Sequence, residues 1–280
     1  MTGGAGHIGL ESARSLLEHG ASGVCLFDME SSFEARAESL ALLRKEYPDR
    51  TILTQDVDVT DESAVSSAVS NAKDQLGSID HMLCFAGIVA TIPAMEMTPQ
   101  NWRKVLDINV SGSWYCAQAA AKQMIKQESG GSILFTASIS AHQVNFPQPQ
   151  VSYNVSKSAI LQLTRSLAAE WAQYGIRVNS LSPGYMDTVL TMLNDGKGLE
   201  VGKEIWETRN PMGRMGTPEE LTGAVVLFSS TLGGRYLTGE DIKVDGSSCF
   251  PTTSLLIKIL TSQRNQVDKQ YSNRKSQCII

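Results

Sequence analysis

Cysteine is sparse and unpaired: the five residues Cys25, Cys84, Cys116, Cys249 and Cys278 share no repeated spacing. Neither a disulfide framework nor a metal site is expected, and a reducing compartment suits such usage. The four histidines, at 7, 19, 81 and 142, also lack ligand spacing, so no metal is expected. No apolar run approaches the roughly 18 residues of a membrane span, and no charged-then-apolar leader opens the chain. Basic residues are outnumbered, with 24 Lys and Arg against 29 Asp and Glu. No basic stripe could neutralise phosphates, which argues against nucleic acid as a partner. The expected setting is cytoplasmic, with no membrane and no nucleic acid involved.

What is present is an α/β rhythm. Short apolar runs at 23–28, 51–57, 81–85, 131–137, 176–182 and 241–244 read as strands. They alternate with amphipathic stretches at 8–19, 34–47, 62–75, 101–127, 152–173, 202–210 and 218–229. That alternation predicts a Rossmann-type doubly wound parallel sheet covered on both faces, in a single domain spanning 1–250. The ends depart from the pattern. A strand is expected directly ahead of Thr2, where only Met1 stands, so the first strand is missing and an apolar run is expected upstream. Residues 251–280 are polar, basic and weakly periodic, and read as a disordered tail.

The segment Thr2-Gly3-Gly4-Ala5-Gly6-His7-Ile8-Gly9 contains GxGxxG at Gly4, Gly6 and Gly9. Such glycines let the backbone approach a pyrophosphate at a helix N-terminus. By itself the pattern is weak. It gains weight from the amphipathic helix that follows and from Asp28, which ends the next strand where a carboxylate can accept ribose hydroxyls. Alternatively, Asp28 is a plain strand-end turn residue. In the cluster Asp56-Val57-Asp58-Val59-Thr60-Asp61, Asp61 or Thr60 can cap a helix, while Asp58 can meet an adenine amino group with Val59 beside it.

Tyr153 and Lys157 stand four apart, on one helix face and about 6 Å from each other. A phenol with a pKa of ~10 is a poor base at neutral pH unless an ammonium stabilises its phenolate. Alone, such a pair is usually a solvated face.

Six motifs occur in the order and spacing of the short-chain dehydrogenase/reductases: TGGAGHIG, Cys84-Phe85-Ala86-Gly87, Asn109, Ser138, Tyr153-Asn154-Val155-Ser156-Lys157, and Ser182-Pro183-Gly184-Tyr185-Met186-Asp187-Thr188. The resemblance runs from Thr2 to about Gly246. Ser138–Lys157 and the SPGYMDT segment are most similar to the branch acting on mannitol, sorbose, arabinitol and xylulose. The resemblance implies that Tyr153 exchanges a proton with the substrate oxygen, and that Lys157 lowers the Tyr153 pKa and holds the nicotinamide ribose. It also implies that Ser138 hydrogen-bonds the substrate oxygen and that Asn109 supports a proton relay. Gly3, Gly6, Ile8, Gly9, Ala86 and Gly87 would lie along the cofactor. Pro183, Gly184 and Met186 would flank its carboxamide, and Thr188 would reach its pyrophosphate. Two motifs depart from the family: Cys84-Phe85 replaces the usual Asn-Asn, and His7 stands where glycine is commonest.

Between Ser138 and Tyr153, the stretch 141–150 carries His142, Gln143, Asn145, Gln148 and Gln150. Of these, His142, Asn145 and Gln150 are the candidate substrate contacts, unless the stretch is only a solvated loop. Residues 189–213, with Met192, Leu193, Ile205 and Trp206, read as a mobile lid. The expected activity is reversible NAD(P)-dependent reduction of a ketone to a secondary alcohol on a sugar or polyol. The partner is then a small carbonyl or alcohol substrate. Alternatives are a tailoring reductase of a more apolar ketone, or a catalytically silent binding protein of the same fold. NAD is expected to be preferred over NADP, because Asp28 and Glu30 offer carboxylates where a 2′-phosphate needs a cation. The apolar stripes of 101–127 and 152–173 resemble the paired helices that join family subunits into a homodimer or homotetramer.

Overall fold

The face on which residues are buried alternates along the first strand of the sheet. In β1 (Gly23–Asp28), Cys25 and Phe27 join one apolar cluster while Val24 and Leu26 join another. A period-2 strand buried on both faces does this only when helices cover both sides of the sheet. The computed structural model describes residues 1–188 and 198–247, with only the backbone described over 198–203. Residues 189–197, the first part of the lid expectation with Met192 and Leu193, and the tail at 251–280 lie outside the described residues.

Helix α1 (His7–Glu18) precedes β1. Next come α2 (Glu30–Ala35), α3 (Ala37–Glu46), β2 (Thr51–Asp56), α4 (Glu62–Leu76) and β3 (His81–Cys84). Helix α5 (Pro99–Leu106) passes through a π-helical turn, Asp107–Gly112, into α6 (Ser113–Gln127). Then β4 (Gly131–Thr136), α7 (Val151–Trp171), β5 (Ile176–Pro183), α8 (Gly198–Arg209), α9 (Thr222–Ser229) and β6 (Asp241–Val244) complete the order. All ladders are parallel: β1 with β2, and β3, β4, β5 and β6 in succession. Helices α4, α6 and α7 bury Val65, Ala117 and Ile160 on one face. Helices α1, α3 and α9 bury Leu10, Leu43 and Phe228 on the other. No helix among the described residues is long and apolar enough to cross a membrane.

The centre of the sheet is joined by two residues. Thr2 bridges Phe27 on β1 and Cys84 at the end of β3, both in parallel sense. Phe27 N donates to Met1 O at 2.8 Å and Thr2 N donates to Leu83 O at 2.9 Å. The Met1 ammonium donates to Cys25 O at 2.7 Å, and its burial lowers its pKa. Beside Met1, between β1 and β3, lies a cavity of about 370 Å³ lined by apolar residues such as Val24, Leu16, Val69, Met82 and Leu83. The expected place of a first strand is thus occupied at its C-terminal end by Met1 and Thr2, with a cavity alongside.

The helix expected over 101–127 is present without interruption, and it passes through a π turn at Asp107–Gly112 that carries Asn109; such turns gather at functional sites.

Candidate active site

The phosphate-loop geometry is built by glycines that nothing larger could replace. Gly3 has φ +62°, and a Cβ on it would lie 2.8 Å from Ala86 N. A Cβ on Gly9 would lie 2.3 Å from Gly3 O. At the α1 N-cap, Gly6 offers no side chain to the first-turn amides, which leaves donors and the positive helix end for an anion. Asp28 closes β1 beside this loop: its Oδ2 accepts from Ala5 N at 3.0 Å and its Oδ1 from Met29 N at 2.9 Å. Asp58 is exposed and its Oδ1 accepts from Thr60 N and Thr60 Oγ1, while Val59 is buried with its Cγ2 facing Gly112. Ala86 N donates to Thr2 Oγ1 at 3.2 Å. The open loop, the uncapped helix end and the strand-end carboxylate fit a dinucleotide.

Tyr153 and Lys157 lie on the first two turns of α7, with the Lys157 Nζ 5.6 Å from the centre of the Tyr153 ring. Lys157 is buried, and Nζ donates to Thr136 O at 2.7 Å. Burial lowers its pKa to about 8. Burial likewise raises the Tyr153 pKa; a hydrogen bond with the Ser138 side chain opposes that rise, and neighbouring Tyr185 adds to it. Desolvation therefore acts against the charged form of both groups.

Ser138 belongs to a chain of hydroxyls, donating to Ser140 Oγ at 3.1 Å, and Gln150 Nε2 donates to the same Ser140 Oγ at 3.3 Å. Asn109 is fully buried. Its Nδ2 donates to Ile88 O and to Ser156 Oγ, both at 2.9 Å, and its Oδ1 accepts from Ile88 N at 2.8 Å. Ser156 Oγ in turn donates to Tyr153 O at 2.8 Å. Asn109 therefore ties the loop after β3 to the turn of α7 that carries Tyr153. Gly87 packs against this junction: a Cβ there would lie 3.2 Å from Asn109 Oδ1 and 3.6 Å from Lys157 Nζ.

One cavity of about 170 Å³ gathers Ser138, Tyr153 and Lys157 with Ile8, Gly87 and the segment Pro183, Gly184, Met186 and Thr188. Asn145 and Gln150 line it as well, although Gln150 Nε2 also donates to Asn154 Oδ1. His142 does not, and that expectation is corrected. Its Nε2 pairs with Asp241 Oδ2 at 2.9 Å and Ser182 Oγ at 3.2 Å, so the ring is held at the junction of β5 and β6. The larger cavity in the sheet holds none of this chemistry.

Tyr185 is a wall residue whose role the sequence reading missed, although it sits inside the SPGYMDT motif. Trp206 stacks on it with ring centres 4.3 Å apart and planes 8° apart. Asn145 Nδ2 and Gln148 Nε2 donate to the Tyr185 hydroxyl at 2.9 and 3.0 Å, and Trp206 Nε1 donates to Gln148 Oε1 at 3.3 Å.

A parallel α/β sheet, a glycine loop for a dinucleotide, and Tyr153, Lys157 and Ser138 around one cavity with Asn109 anchoring Ile88 in its wall define an NAD(P)-dependent oxidoreductase. A family profile described as "Enoyl-(Acyl carrier protein) reductase" matches residues 3–247. D-arabinitol 2-dehydrogenase [ribulose-forming] of Scheffersomyces stipitis is 37% identical over 255 residues, 88% of this chain and 91% of that protein. A probable NADP-dependent mannitol dehydrogenase of Yarrowia lipolytica is 39% identical, covering 90% of this chain and 87% of its own. The crystal structure of a short-chain type dehydrogenase/reductase from Mycobacterium marinum superposes with a TM-score of 0.81 at 36% identity, covering 90% of this chain and 94% of that one. The chain belongs to the short-chain dehydrogenase/reductase family and is an NAD(P)-dependent dehydrogenase/reductase.

Proposed function

We propose that the substrate is a sugar or polyol, whose secondary alcohol and ketone the enzyme interconverts with NAD as the preferred cofactor. The observation that carries this reading is a cavity lined both by the Tyr153–Ser138 pair and by the polar Asn145, Gln148 and Tyr185 groups. The polyol names of the relatives agree with it.

In this reading, bound NAD would supply the hydride chemistry. Gly3, Gly6 and Gly9 would hold its pyrophosphate, Asp28 its adenosine ribose, Asp58 and Val59 its adenine, and Lys157 its nicotinamide ribose. Ala86, Gly87 and the Pro183–Thr188 segment would serve the nicotinamide end. Tyr153 gives a proton to the ketone oxygen, or takes one from the alcohol. The Ser138 hydroxyl donates to the same oxygen as charge develops on it. Asn109 holds the Ile88 loop and, through Ser156, the Tyr153 turn, and it stands beside Lys157 on the route a proton takes to solvent.

The preference for NAD is supported by charge. Asp28 and its register partner Asp56 present two carboxylates at the strand ends, which disfavour a 2′-phosphate by about 1–3 kcal/mol at a partly exposed site. Arg36, whose charge is felt at His7, is the cation that would serve NADP instead. Assembly into a homodimer or homotetramer through α6 and α7 rests on the family resemblance; within the chain, the Trp114–Trp171 stack packs the two helices together, with ring centres 6.1 Å apart. Buried free thiols at Cys25, Cys84 and Cys116 suit a reducing, cytoplasmic setting.

Titration with NAD and NADP, followed by a panel of ketoses, polyols and apolar ketones, tests the proposal. Turnover of a ketose and its polyol with NAD is the expected outcome. The Tyr185–Trp206 stack favours a second reading, a reductase of an apolar ketone, and exclusive turnover of apolar ketones would establish that one.

A further inference from the structure

Two polar valences in the cavity wall have no partner among the described residues, and they are complementary. A phenol can accept hydrogen bonds and donate one. The Tyr185 oxygen accepts from both Asn145 Nδ2 and Gln148 Nε2, so its remaining capacity is to donate its own proton. That proton has no acceptor among the described residues. With Nδ2 committed to the phenol, the other end of the same amide, Asn145 Oδ1, is buried and has no partner among the described residues. Both residues line the cavity that holds Tyr153.

The pair is held in place rather than free to reorient. Trp206 covers the Tyr185 ring at 4.3 Å, and its indole N–H donates to Gln148 Oε1 and to Phe146 O. Gln148 therefore takes a hydrogen bond from the stack on one side and gives one to the phenol on the other. It is a positioning residue for Tyr185. A buried acceptor left unpaired carries a desolvation penalty, removed when a ligand supplies the missing donor.

We infer that Asn145 Oδ1 and the Tyr185 hydroxyl together recognise one further hydroxyl of the substrate, distinct from the oxygen that reacts at Tyr153. A hydroxyl donates through its hydrogen and accepts through its oxygen, so it answers both open valences at once. A ketone without a second hydroxyl answers neither and leaves both wall groups desolvated. The site thus selects hydroxyketones and polyols through hydroxyl recognition, over simple ketones of similar size. The inference rests on the sugar or polyol reading above and deepens it.

The experiment compares a hydroxyketone with its deoxy analogue, the same carbon chain lacking one non-reacting hydroxyl, in the intact enzyme with NADH. The readout is the ratio of their kcat/KM values in the wild type, in Tyr185→Phe and in Asn145→Leu. Tyr185→Phe keeps the stack on Trp206 and removes only the hydroxyl. Thermal melting of each variant checks that it is folded. The wild type should favour the hydroxyketone by about tenfold or more, the scale of one or two unpaired buried polar groups. Each variant should bring the ratio severalfold closer to unity, a change that a general loss of stability does not produce. A ratio unchanged in both folded variants, or a wild type indifferent to deoxygenation at each non-reacting position, overturns the inference while leaving the parent activity standing. A wild type that turns over neither hydroxyketone nor polyol overturns the parent reading and this one with it.

Discussion

Two cavities among the described residues differ in where they lie on the sheet. The one at the C-terminal ends of β3, β4 and β5, about 170 Å³, brings together Ser138, Tyr153 and Lys157 from distant parts of the chain. The one between β1 and β3 is larger, about 370 Å³, and is lined by residues of those strands and of α1 and α4. In the first, side chains hold open a shape that a ligand can use. In the second, the hole lies within the sheet itself, beside a two-residue bridge. The contrast shows how position on the sheet separates function from stability. Groups at the carboxyl ends of strands are free to act on a ligand, whereas a gap between strands affects packing and ladder hydrogen bonds.

The largest expected effect sharpens the chemical side. Tyr153→Phe keeps the ring and removes the hydroxyl, so kcat should fall by ~10²–10⁴, the usual contribution of a positioned acid–base group. Binding of NAD, followed by fluorescence titration, should be nearly unchanged. Near wild-type turnover would remove Tyr153 from the mechanism.

Next is Lys157, whose pKa falls to about 8 in the fold against an ordinary lysine value of 10.5. The unfolded chain therefore holds this proton more tightly than the native one. Below about pH 8 both states are protonated and the burial penalty is complete, roughly 3 kcal/mol. Between about 8 and 10.5 only the unfolded state is protonated, so stability rises with pH. Lys157→Met in the cofactor-free chain should be the more stable protein at neutral pH and should lose that rise. Urea titrations across the window measure it, and parallel curves for the two proteins would show that Lys157 is solvated.

The cavity in the sheet can be tested by addition. Fusing a six-residue Val/Ile-rich segment ahead of Met1 offers β1 and β3 a strand between them. A gain of about 3 kcal/mol raises the melting temperature by roughly 6–12 °C at this chain size, and calorimetry reads it. An unchanged melting temperature would mean the gap does not accept a strand.

The smallest effect is cofactor choice. NAD should exceed NADP by about tenfold in kcat/KM, following from the repulsion at Asp28 and Asp56. Asp28→Ala should narrow the ratio, and Met29→Arg, at an exposed position beside it, should reverse it. A native preference for NADP would assign the ribose phosphate to Arg36 or His7.

The errors of the sequence reading share a cause. His142 lies in a polar stretch beside the active-site motifs, yet its partner Asp241 is 99 residues away. The two meet because β6 pairs with β5 in a register that sets Asp241 beside Ser180, and no local pattern encodes that pairing. Tyr185 was read only as part of a motif, because its importance comes from Asn145, Gln148 and Trp206 converging on it. The π turn at Asp107–Gly112 was invisible because the helix runs through it unbroken and the residues on either side keep a good helical pattern. By contrast, Gly3, Gly9, Asp28, Tyr153 and Lys157 were legible, since each serves a local geometry: a turn, a strand end or a spacing of four on a helix.

The sequence by itself determined the order of strands and helices, the parallel sheet buried on both faces, the glycine loop and the residues of the chemical cluster. These follow from periodicity and from residue types suited to particular backbone shapes. Only the tertiary structure decided which side chains share a cavity, which histidine is diverted, how Met1 and Thr2 join the two halves of the sheet, and which way Tyr153 and Lys157 shift. Those outcomes depend on strand register and on the removal of water, both set by residues far apart in the chain.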